Sequence, residues 1–98
     1  MAKLTTVYWR DIPAQVIAKE RRDTAKTVLT ERFAEAIDKA AMRAGMAGTD
    51  AYLEQWRREV VNCGRDLQAA VDEAAAKLER DFDDARLDQL VKNGGLAD

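Results

Sequence analysis

Residues 7–18, Val7-Tyr8-Trp9-Arg10-Asp11-Ile12-Pro13-Ala14-Gln15-Val16-Ile17-Ala18, are the stretch least compatible with a helix, and they hold the sole proline and one of the two tryptophans. Proline fixes its own φ, has no N–H to donate and pushes the preceding Ile12 toward an extended backbone. Two β-like runs around this turn predict a hairpin over residues 4–19. Side chains alternate along an extended strand. Leu4, Thr6 and Tyr8 therefore share one face of the first run and Thr5, Val7 and Trp9 the other, while Ala14, Val16 and Ala18 oppose Gln15, Ile17 and Lys19 on the second. An isolated hairpin is marginal in water, so it must lie on the elements that follow or on another chain. Its open edges are the first candidate for an interface, with another protein or with a second copy.

The rest of the chain reads as helices. From Asp23, a plausible N-cap, the apolar positions Ala25, Val28, Leu29, Phe33, Ala36, Ile37, Ala40, Ala41 and Ala44 recur at three and four, which predicts a helix over 23–44 ended by Gly45. A second helix is expected over 50–61, capped by Thr49 or Asp50, with Tyr52, Leu53, Trp56, Val60 and Val61 on its apolar face. A third, over 66–82, carries Leu67, Ala70, Val71, Ala74, Ala75, Leu78 and Phe82 in register. Leu87, Leu90 and Val91 then arrive about half a turn out of phase. This places a break at Asp83-Asp84, with Asp83 capping a final helix over 84–92. The expected class is α+β: one domain over 1–98, an N-terminal β-hairpin packed on three to four α-helices.

The residue inventory excludes most chemistry. With no histidine, the chain has no imidazole for a triad, a metal site or general-base work at neutral pH. The single cysteine, Cys63, forms no internal disulfide and reads as a packing residue. The five glycines are scattered, and none makes a phosphate-cradling loop. Asp81, Asp83, Asp84 and Asp88 lack the spacing of a calcium loop and read as a solvated helix end. No catalytic residue, metal ligand or cofactor is expected. Residues 1–65 carry a net +3 and residues 66–98 a net −5, so the acidic third repels a phosphate backbone and argues against nucleic acid, despite a local basic patch at Lys19, Arg21 and Arg22. No window approaches the length of a membrane span, and Met1–Thr6 lack a long apolar region, so the expected location is the cytoplasm.

Trp-Arg occurs twice, as Trp9-Arg10 in the hairpin and as Trp56-Arg57-Arg58 in the expected second helix. Aromatic rings beside guanidiniums are enriched at protein interfaces, though arginine stems also pack on core rings without a ligand. Tyr8, Trp9, Arg10, Asp11, Trp56, Arg57 and Arg58 form the candidate contact surface. Arg10, Asp11, Arg57 and Arg58 around an anionic small molecule are the alternative.

The run Val7 to Val16, with Arg32-Phe33, Ala36-Ile37-Asp38, Ala40 to Gly45, Asp50, Tyr52-Leu53, Trp56-Arg57-Arg58 and Asp83 to Leu87, resembles a small bacterial family known as virulence factor. A similar domain occurs in conserved virulence factor C, joined there to an iron–sulfur scaffold-like segment and helical repeats. The resemblance implies an accessory role: stand-alone members keep company with enzymes of tetrahydrofolate and corrinoid one-carbon metabolism, and the larger relative suggests a link to iron–sulfur assembly. Glu20-Arg21-Arg22 departs from the family, whose members tend to have a glycine before the arginine, and the start of the first helix is expected to differ accordingly. The function expected is that of a non-catalytic adaptor acting through protein–protein contact, with binding of a folate-like anion as the alternative.

Overall fold

A computed structural model of the chain describes residues 2–97. Trp9 faces Ile12 across a two-residue turn of Arg10 and Asp11, which closes strands β1 (Ala2–Trp9) and β2 (Ile12–Glu20) into the antiparallel hairpin expected. Gln15 pairs with Val7 and Pro13 with Tyr8, leaving Ala14 as an extra residue that bulges the strand. The freed Ala14 carbonyl accepts from Leu29 N at 3.1 Å.

The hairpin is not the whole sheet. Asp23–Val28, expected as the first turns of a helix, form strand β3, which pairs with β2 through a second two-residue turn at Arg21-Arg22. Trp56–Cys63, of which residues 56–61 are expected from the sequence to end the second helix, form strand β4 on the other side of β1. The order is β3-β2-β1-β4, all antiparallel. Both edges of the hairpin are therefore taken by strands of the same chain. The unpaired edges of the sheet belong to β3 and β4 and not, as the hairpin alone would suggest, to β1 and β2.

Helix α1 spans Glu31–Arg43, eight residues later than its expected start, and buries Phe33, Ala36, Ile37, Ala40 and Ala41. Gly45 follows at φ 73°. Helix α2 is a single turn, Asp50–Glu54, with Thr49 Oγ accepting from Tyr52 N. Helix α3 runs Leu67–Asp81 from an Asp66 cap that accepts from Ala69 N. At Phe82 the backbone leaves the helical region, and Asp83 accepts from Arg86 N to start α4, Asp84–Lys92. This is the break that the phase slip predicts.

Val16 and Ala18 of the sheet meet Val71 and Ala75 of α3 in the core, which continues through Phe33, Ile37, Phe82, Leu87 and Leu90. Full burial of a side chain such as Phe33 or Ile37 contributes about 1.5–3 kcal/mol. The α1 and α3 ends are joined by polar contacts. Glu79 accepts from Thr30 N at 2.8 Å and Thr30 Oγ at 2.9 Å, and Arg32 donates to the Glu79 carboxylate and to the carbonyls of Glu79 and Phe82.

Candidate functional site

The turn Arg10-Asp11 brings most of the seven candidate residues together, because β4 lies beside β1 in a register that sets Trp9 against Trp56, Tyr8 against Arg57 and Val7 against Arg58. Arg10 holds φ 54°, a left-handed conformation that needs support in a non-glycine residue. Three contacts supply it: Nε donates to Gln55 Oε1 at 3.2 Å, Nη1 to Gly94 O at 3.0 Å, and Nη2 reaches Met46 Sδ at 3.2 Å. Asp11 is equally committed. Its N–H donates to Gly95 O at 2.9 Å, Oδ2 accepts from Ala97 N at 2.6 Å and Oδ1 from Arg57 Nη2 at 3.1 Å.

Arg57 bridges the turn to β4. Nε donates to Arg10 O at 2.7 Å, Nη1 donates to Glu59, and the guanidinium lies 4.4 Å from the Tyr8 ring centroid. Burial alone would lower the Arg57 pKa, but the hydrogen bonds to Glu59 and Asp11 outweigh it and raise the value. Burial, with a smaller contribution from Glu59, raises the Tyr8 phenol. Neither group is poised to exchange a proton at neutral pH.

Trp9 is not a surface residue. Its side chain is wholly enclosed, stacked on Tyr52 at 5.5 Å between centroids, with Nε1 donating to Tyr52 O at 2.9 Å. A large ring at the hairpin end is the natural filler between sheet, α2 and the C-terminal segment, and its one polar atom is satisfied. Trp56 is half-buried and meets Tyr52 edge-on at 6.0 Å. Of the seven, Arg58 alone is exposed without a hydrogen bond among the described residues. It borders a hollow of about 290 Å³ with Val7, Gln15, Trp56 and Arg57. Trp9, Arg10 and Arg57 thus hold the fold together, and of the residues that complete this unit Tyr52 has the signal of an apolar position, whereas Met46, Gln55, Gly94 and Gly95 carry none.

What lies open is elsewhere. Val60 and Val61 of β4 are each 57% exposed, on opposite faces of an outer strand. A groove of about 490 Å³ runs between that strand and α3, lined by Leu4, Cys63, Ala69, Ala70 and Ala74 among others. Asp81 and Asp84 of the acidic helix end are paired with Lys77 and Arg32. The hydrogen bond from Lys77, against slight desolvation, holds Asp81 below its ordinary pKa. Among the described residues, no helix is long and apolar enough to cross a membrane.

A family model described as virulence factor matches residues 7–91. No curated protein matches the chain, and no solved structure does.

Proposed function

Since the chain belongs to the virulence factor family, we propose from its open strand and residue inventory that it is a non-catalytic accessory protein that works by binding another protein along the β4 side of its sheet. The observation that supports this reading is an eight-residue outer strand with one paired neighbour and two half-exposed valines. An open strand edge offers a row of backbone donors and acceptors to an incoming strand, and flanking apolar side chains add affinity. The partner class that the resemblance implies is an enzyme of tetrahydrofolate or corrinoid one-carbon metabolism. A folate-like anion is less well served. Arg10 and Arg57 already satisfy carbonyls and carboxylates of their own chain, so of these three arginines only Arg58 has no side-chain hydrogen bond among the described residues.

The test is co-purification with the tagged full chain from its native host. The chain carrying Val60→Ser and Val61→Ser together is expected to lose the companion that the wild type retains, while Leu53→Ser, at a 65% exposed position on α2, keeps it. Recovery of the wild-type chain alone, or of the same companion with the double variant, overturns the reading.

A further inference from the structure

Directly opposed residues on neighbouring strands point to the same face of a sheet. Leu4, Val16 and Ala18 belong to the face on α3. The register then sets three rows on the other face: Lys26, Ile17, Thr5 and Val60; Thr24, Lys19, Lys3 and Asn62; Val28, Gln15, Val7 and Arg58. Lys3, Lys19, Lys26 and Arg58 are exposed there. No row contains a carboxylate, in a chain with more acidic than basic residues. Glu20, Asp23 and Glu59 alternate to the α3 side, and the acidic side chain that reaches the third row comes from another element: Asp38 of α1 lines a hollow with Val7, Gln15 and Val28.

Lys3 and Lys19 are directly opposed, an arrangement that opposes folding. Lys3 Nζ donates to Asn62 Oδ1 at 2.7 Å, and among the described residues none of the four cations forms an ion pair. Arg21 and Arg22, both exposed, extend the positive field past the β2–β3 turn. At the centre lie half-buried Thr5 and Ile17 and the exposed Val60.

We propose that this face docks an acidic protein segment, with apolar side chains over Ile17 and Val60 and carboxylates meeting Lys3, Lys19, Lys26 and Arg58. The inference rests on the accessory reading and supplies the partner's chemistry. An apolar centre inside a charged rim is the anatomy of a protein contact. Single-stranded nucleic acid is the poorer match, because its bases stack on aromatic platforms and the three rows hold no ring.

The probe is a fluorescein-labelled 14-residue peptide with leucines on one helical face and glutamates around it, titrated with the full chain by anisotropy in 50 and 300 mM NaCl. Lys19→Glu and Lys26→Glu are each expected to weaken binding about tenfold or more, Lys39→Glu on α1 far less, and the higher salt to weaken the wild type. Lys19→Glu turns a like-charge pair into an opposite one, so its Tm stays equal to or above that of the wild type while binding falls. A purely structural role for Lys19 moves Tm alone. No binding by the wild type, equal loss from Lys39→Glu, or tighter binding of a dodecauridylate than of the peptide overturns the proposal. If Lys19→Glu and Lys26→Glu still co-purify with the wild-type companion, this face is wrong while the accessory reading stands.

Discussion

Arg10 and Arg21 occupy the same position of their two-residue turns, at φ 54° and 55°, and the chain treats them differently. Arg10 is held by three side-chain contacts, whereas Arg21 is exposed at the sheet's end. A left-handed conformation costs a non-glycine residue about 1–2 kcal/mol. Arg21→Gly is therefore expected to leave stability unchanged or raise it by up to about 1 kcal/mol, and Arg10→Gly to lower it by about 2 kcal/mol, read from urea denaturation midpoints. The glycines give a matching contrast. Gly48 (φ 75°) faces open space, but a Cβ on Gly95 (φ 95°) would sit 2.7 Å from the Trp9 ring. Gly48→Ala should show only the backbone cost of about 1 kcal/mol, and Gly95→Ala a further loss of about 1–3 kcal/mol as the ring is displaced. The same measurement checks both. The Glu20-Arg21-Arg22 departure from the family pattern therefore falls in a hairpin turn rather than at a helix start.

At the scale of elements, α1 begins without a cap of its own: Thr30 makes no side-chain cap bond, and Glu79 of α3 satisfies its N–H and hydroxyl instead. Burial would raise the Glu79 pKa, but hydrogen bonds from Thr30 and Arg32 outweigh it and lower the value. A carboxylate depressed in the folded state adds stability above its unfolded pKa and loses it as pH falls through its folded one. Glu79→Gln should thus cost about 1–2 kcal/mol at pH 7, and the gap to the wild type should close as pH drops below about 4. Thermal melts across that range check it. The same region shows why two strands read as helix. Ala25, Val28, Leu29 and Phe33 keep a three-and-four spacing across the junction from β3 to α1, so the true helix lends its period to the strand before it. Leu53, Trp56 and Val60 do likewise for β4, an outer strand exposed on both faces that has no alternation to display. The breaks that depend on a cap or a phase change, at Asp66 and Asp83, are legible because the signal is local.

For the whole molecule, the first turn and the last residues form one unit: Gly94 O receives Arg10, Gly95 O receives the Asp11 N–H, and Ala97 N reaches the Asp11 carboxylate. A chain ending at Asn93 loses these bonds and uncovers Trp9. The expected loss is about 3 kcal/mol or more, visible as a lower denaturation midpoint and red-shifted tryptophan emission. Nothing in the sequence announces this link, since the partners sit 84 and 86 residues apart and bond through backbone atoms. The enclosure of Trp9 was hidden for the same reason. Trp-Arg pairs look alike in a core and at an interface until the register shows Trp9 enclosed and Arg57 spoken for. The cationic face was half visible, as a basic patch at Lys19, but Lys3, Lys26 and Arg58 join it only once β3 and β4 are in place.

The placement of β1 between β2 and β4 has a consequence for synthesis. One neighbour follows after a two-residue turn, while the other starts only at Trp56. On the ribosome, the strand made first stays half unpaired until Cys63 has left the exit tunnel. Through that interval the nascent hairpin presents a bare border of Leu4, Thr5, Thr6 and Val7, the stage at which cellular chaperones have most to protect.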